Sequence, residues 1–168
     1  LHPATVGAHF LLSILLIAGA TSLRAQKNSP SARIKSESLV RKIATAHIVA
    51  TFIVLILGTI VTGSGPHAGD ATAPRLPFDL RTVAWLHADV VIALFGITFG
   101  FFVVHGASAE TKKRLKIFLA FALAQGFIGY VQWFTDLPEI LVGFHLAGST
   151  LVWIAAWRVW LSVTTTNG

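Results

Sequence analysis

Five apolar runs, each near the roughly 20 residues that a helix needs to cross a bilayer, leave this chain few folds to choose from. They cover about Pro3–Leu23, Ile43–Thr62, Val83–His105, Ile117–Phe134 and Ile140–Leu161. In hydrocarbon every backbone N–H and C=O must find its partner within the protein, and a helix does so inside a single segment. The runs therefore predict an all-α polytopic membrane protein with five transmembrane helices. Composition agrees. Hydrophobic residues make up 54% of the chain, charged residues 12%, and the mean hydropathy is +0.73, more apolar than a soluble domain of this size needs.

The net charge of +6 does not point to nucleic acid, because the basic residues flank the apolar runs instead of forming a patch. The linker after the first run carries Arg24, Lys27, Arg33, Lys35, Arg41 and Lys42. The third linker carries Lys112, Lys113, Arg114 and Lys116, and Arg158 ends the last run. All of these fall on one side, and only Arg75 and Arg81 lie on the other. The positive-inside rule makes the basic side cytoplasmic, so the N-terminus is expected outside and the C-terminus inside. Trp85 and Trp133 fall at outer boundaries and Trp157 and Trp160 at the inner one, where aromatic belts form.

The expected organisation is a single transmembrane helix over 1–24, a basic cytoplasmic linker over 25–42, a four-helix antiparallel bundle over 43–162 and a tail over 163–168. The first helix is the odd one out, expected to belong to an incomplete first half. The chain starts at Leu1 and has no methionine, and it reads as a piece of a longer protein. Small residues at Gly96 and Gly100, Gly126 and Gly129, and Gly143 and Ala147 offer faces where helices could approach closely.

Histidines inside such helices need a reason, since polar groups at membrane depth are costly and often functional. His87 and His145 each follow the outer start of a helix by a few residues, and the two helices run the same way. At about 1.5 Å rise per residue they share one depth, and His9 lies at that depth on the first helix. Two imidazoles from facing helices can hold a haem iron within a bundle. The alternative is that they hydrogen-bond between helices and bind nothing. With no cysteine in the chain and no HExxH pattern, neither a thiolate site nor that zinc motif is available. His47 and His105 lie near the inner boundary and read as interfacial or structural, and His67 lies in the outer loop. Asp89 is either a proton acceptor near the site or a hydrated interfacial carboxylate. Arg75 and Arg81 are candidate partners for haem propionates, or ordinary loop charges paired with Asp79 or Asp70. Gln125 and Gln132, seven residues apart, share one helix face that is expected to point into the bundle.

Three stretches in this order resemble a known family: "GTIVTGSGPHAGD" from Gly58, "LHADV" from Leu86 and "QGFIGYVQWFTDLPEILVGFHLAGSTLVW" from Gln125. They look like the second half of bacterial heme A synthase, and the "VTGSGPHAGD" form is similar to its actinobacterial branch. The resemblance covers essentially the whole chain. It implies eight helices in two four-helix halves, with this chain spanning the fourth helix onward. By this resemblance His87 and His145 ligate the iron of a haem b cofactor. His9 matches the fourth-helix histidine at the substrate-haem (haem o) site, whose partner histidine is not in this sequence. The family oxidises the C8 methyl group of haem o to a formyl group, giving haem A for cytochrome oxidase. The resemblance names no catalytic side chain in this stretch, and this piece alone is expected to lack the activity. The bacterial cell membrane is the implied location, with the lipid bilayer as surroundings. Haem o synthase, cytochrome oxidase assembly proteins or further copies of the chain are the implied partners. Some relatives carry a cysteine pair in the outer loops, which this loop lacks. Two other classes stay open from the residues alone: a b-type cytochrome that only passes electrons, and a transporter or structural membrane subunit whose histidines bind no metal.

Overall fold

The computed structural model describes residues 2–28, 37–66 and 72–164. They form α1 (Pro3–Asn28), α2 (Ser38–Ser64), α3 (Leu80–Val103), α4 (Ala109–Phe134) and α5 (Glu139–Thr164), with no strand among the described residues. All five helices are long and apolar enough to cross a membrane. The chain is a multi-pass membrane protein.

The helices outrun the apolar segments that predict them. α1 continues to Asn28 and α2 begins at Ser38, so less of the 25–42 stretch is left as linker, and α5 runs past 162 to Thr164. Ala25, Gln26 and Lys27 are good helix formers, and a helix need not end where hydrocarbon does. The starts are set by capping side chains, which accept otherwise orphaned amide protons of the first turn. The Thr82 amide donates to the Asp79 carboxylate at 2.8 Å, the Thr111 amide to Ser108 Oγ at 3.0 Å, and the Ala4 amide to His2 Nδ1 at 3.2 Å. α3 ends at Val103, two residues before His105, which sits exposed in the turn that follows. Gly106 makes that turn at φ +87, where a side chain would be strained. The α4–α5 turn is tighter, with Asp136 and Leu137 both at φ 58.

α2 packs closely on α3, and α4 on α5; α2 and α5 then join the two hairpins, while α3 and α4 meet far less. The last four helices form an antiparallel bundle. α1 is not loose beside it. Its Pro3, Ile14 and Ala18 are buried and its Gly7 lies against Thr59 of α2. Trp153 Nε1 of α5 donates to the Ile14 carbonyl at 2.7 Å and Trp157 Nε1 to Ser22 Oγ at 2.8 Å. Two indoles thus fasten α1 across the α2–α5 seam. Trp157, expected in an aromatic belt, is instead part of a packed row in which Trp153, Trp157 and Trp160 follow at centroid distances of 5.6 and 4.9 Å. Trp85 and Trp133 are exposed, as belt residues would be.

The glycine pairs behave differently from the spacing argument. A methyl group added at Gly96, Gly100, Gly126 or Gly143 would meet nothing within 4 Å. The GxxxG spacing of α3 therefore lies on its open face and joins no helices within this chain. Spacing identifies a smooth stripe but not which way it faces. Gly129 alone among these five is approached, and it is approached by a side chain of the candidate site.

Candidate functional site: two histidines on two matched hairpins

The two hairpins repeat each other position by position around their histidines. On α3, His87 lies against α2 at Gly58: a Cβ placed there would sit 3.4 Å from the ring's Cε1 and 3.9 Å from Nδ1. On α5, His145 lies against α4 at Gly129, at the same 3.4 and 3.9 Å. Beside each ring is the main chain one helical turn earlier, at Val54 for His87 and Gln125 for His145. The register continues below the histidines. Val40, Ala44 and His47 of α2 and Thr111, Leu115 and Phe118 of α4 are buried at equivalent positions. So are Leu94, Thr98 and Phe101 of α3 and Val152, Ala156 and Val159 of α5.

A glycine is useful at such a contact because the imidazole can lie on the backbone of the neighbouring helix, near a main-chain carbonyl. Nδ1 is the enclosed nitrogen of both rings, and neither Nδ1 reaches full hydrogen-bond geometry. The main-chain carbonyls of Val54 and Gln125 lie near the rings, and Nδ1 of each stays short of a hydrogen bond to them. Nε2 is then the nitrogen left for a ligand. The two rings belong to one bundle, and a charge on His87 would be felt at His145. The matched depth expected from the sequence is thus accompanied by matched surroundings.

Other sequence candidates separate from this pair. His9 is exposed, on the side of α1 roughly opposite the face that Ile14 and Ala18 bury against α2 and α5. It does not join His87 and His145. Asp89, two residues beyond His87, is turned about 200° around α3 and is exposed. With Arg81, Thr82, Trp85 and Leu86 it lines a shallow, open depression of about 460 Å³. Neither His87 nor His145 lines that depression, so it is not the site they form. Arg81 belongs to it and is not directed with His87. Arg75 is different: Nη2 donates to the Pro66 carbonyl at 2.6 Å, above the end of α2, while Nη1 is buried with no hydrogen-bond partner. His67 and Asp70 lie outside the described residues.

Of the two readings of His47, the structural one is supported. The side chain is fully buried, edge-on to Phe118 at a centroid distance of 4.4 Å and to Phe101 at 6.2 Å, with both ring nitrogens unpartnered. Its helix runs further toward the basic end than the apolar run does, which places this residue inside the bundle. Gln132 is buried, and Gln125 has its Oε1 buried without a partner, so both glutamines face the bundle as their spacing predicts. What spacing did not reveal is that Gln125 lies on Gly148 of α5: its Nε2 and Cδ occupy the space a Cβ there would take.

Asp79 outside the membrane-spanning segments shows one electrostatic feature. The hydroxyl and then the amide of Thr82 donate to its carboxylate, and the Arg81 charge adds to their effect, holding its pKa below the ordinary 3.8. This is a helix cap and not part of the histidine pair. Among the described residues no three His, Cys, Asp or Glu side chains converge to hold a metal ion.

Comparison with protein-family models, with curated proteins and with solved structures finds no match to this chain. The functional reading therefore rests on the residues and their arrangement.

Proposed function

We propose that this chain is the haem b-binding half of a heme A synthase-type oxidoreductase in a bacterial cell membrane, in which His87 and His145 would hold the haem. The observation that carries this reading is the matched pair itself: two imidazoles, each seated at a glycine of the neighbouring helix with Nδ1 enclosed. Two histidine nitrogens alone make a poor site for a bare ion, which takes four or more ligands. They make a complete one for iron that already has four nitrogens from a porphyrin. The residues fit that group in a second respect. The orphaned Nη1 of Arg75 is a buried donor in want of an anion, and a haem propionate is one. Arg81, on a different side of α3, has less support for that role.

Haem b bound this way supplies one-electron transfer. The chain's own contribution would be to present the Nε2 atoms of His87 and His145 to the haem, with the backbone at Gly58 and Gly129 backing the rings, and to keep water away with apolar helix walls. Oxidation of the haem o methyl group belongs to a second haem site, to which His9 contributes from the outward face of α1. The basic linkers are placed in the cytoplasm, with the start of the chain outside. Haem o synthase or cytochrome oxidase assembly proteins are the partners this reading entails.

A b-type cytochrome that only passes electrons would use the same site, because the His87–His145 pair needs nothing from His9. The protein containing both four-helix halves is expressed with ample haem, purified and then incubated with haem o. Conversion to haem A that is lost in His9→Ala supports the synthase. Bound haem without conversion supports the electron carrier, and no Soret band contradicts both.

A further inference from the structure

The two hairpins differ in chemistry at one place beside their histidines. Gln125 of α4 stands where α2 has Val54, and Gly148 of α5 stands where α3 has Val90. One imidazole therefore has two branched aliphatic residues at these positions. The other has a carboxamide and a glycine. The exchange is coupled, because the Gln125 amide lies on the bare Cα of Gly148, where any side chain would displace it. A buried amide is an expensive replacement for valine unless its polar atoms are used.

They are not all used. Gln125 Oε1 is a buried acceptor with no partner, and His145 Nδ1 is a buried, unpartnered nitrogen in the same α4–α5 contact. Gln125 already has its main chain beside that imidazole, and Gly148 follows His145 by one helical turn. Leaving a buried donor and a buried acceptor unpaired is costly, which favours pairing the two. Reaching Nδ1 takes a change of the Gln125 rotamer away from its seat on Gly148.

We propose that Gln125 is a positioning residue for His145: its Oε1 accepts the Nδ1–H of His145 when Nε2 is bound to haem iron. The inference rests on the haem reading above and extends it to the electronic difference between the two axial ligands. An acceptor on Nδ1–H fixes the tautomer, leaves the lone pair on Nε2 and makes the ring a more basic ligand. His87 has only the Val54 main chain for this purpose, so His145 becomes the stronger donor. A stronger donor stabilises ferric iron and holds the reduction potential down. One hairpin carries the ligand, and the other carries both a ligand and its control.

The test is the Gln125→Val/Gly148→Val double variant, which places in α4–α5 the residues found at the equivalent positions of α2–α3, with the added bulk at 148 entering the space the Gln125 amide leaves. The single variant Gln125→Leu, close in size and without an acceptor, serves if the double variant does not assemble. Haem content, the midpoint potential and the low-spin electron paramagnetic resonance spectrum are measured on the purified protein. Both variants are expected to keep their haem and to favour the reduced form about tenfold more at a fixed potential, a rise of about 59 mV for one electron. Gln125→Glu, which retains an acceptor, is expected to return the potential to the wild-type value or below. Full haem with unchanged potential and spectrum in the acceptor-free variants overturns this inference and leaves the haem reading standing. A wild-type protein that binds no haem overturns both.

Discussion

Gly58 and Gly129 offer a graded test of whether the imidazoles need bare backbone behind them. A Cβ at either position would lie 3.4 Å from the Cε1 of its histidine, close to ordinary carbon contact at about 3.5 Å. Gly58→Ala and Gly129→Ala should therefore be accommodated with a shift of tenths of an ångström. Valine adds two methyl carbons about 1.5 Å beyond Cβ, and one directed at the ring would come roughly 1.5 Å inside contact. Relieving such an overlap costs about 1–3 kcal/mol. At 1.4 kcal/mol per factor of ten, this is about 5- to 150-fold in haem affinity if the ring yields. The assay is the rate of haem loss to an excess of a high-affinity haem acceptor, followed at the Soret band. The alanine variants should remain within about twofold of wild type, and both valine variants should lose haem at least about fivefold faster. Gly96→Val and Gly100→Val are the controls, because nothing lies within 4 Å of a Cβ there. Valine at 58 and 129 with wild-type retention would refute the seating argument, as would equal damage from valine at 96.

Three further outcomes follow from the fold. Trp153→Phe removes the buried N–H donor to Ile14 and should cost about 1–2 kcal/mol, seen as a fall of several degrees in Tm in detergent, while Trp85→Phe at an exposed position leaves Tm unchanged. Asp79 has a depressed folded-state pKa, so the stability its cap contributes is present above its ordinary 3.8 and lost as pH falls below that value toward the folded pKa. Exchange of the Thr82 amide should accelerate over that window, and Asp79→Ala should abolish the pH dependence. Because the chain has no cysteine, single Phe78→Cys and His105→Cys variants report the side of the membrane without background. An impermeant thiol reagent on intact cells should label the first and spare the second; the reverse pattern would invert the proposed orientation.

The helices were legible because burying backbone in lipid leaves one periodic solution, and long apolar runs announce it. Their ends were less so. Ala25–Lys27 keep α1 helical beyond the hydrocarbon boundary, and the extra turns of α2 carry His47, near the inner boundary by sequence, to a buried position against Phe118. Depth along the helix could be counted, which paired His87 with His145. Direction around it was harder: Gly96 and Gly100 have the right spacing for a helix contact and face nothing. The matching of the hairpins was hidden because equivalent positions share burial without sharing residue type, as with Ala44 and Leu115 or Thr98 and Ala156. Gln125 could be placed on the inward face by its spacing from Gln132. Its seat on Gly148 is a contact between helices, which the sequence of one helix does not contain.

The central claim is that His87 and His145 together hold one haem. The decisive measurement is the haem stoichiometry and low-spin spectrum of the purified protein beside His87→Ala and His145→Ala, with His47→Phe as a buried histidine outside the pair. The account predicts a six-coordinate, low-spin haem b in the wild type and in His47→Phe. It predicts a lost or five-coordinate haem in each of the two alanine variants. Full occupancy and an unchanged low-spin spectrum in either His87→Ala or His145→Ala would contradict it.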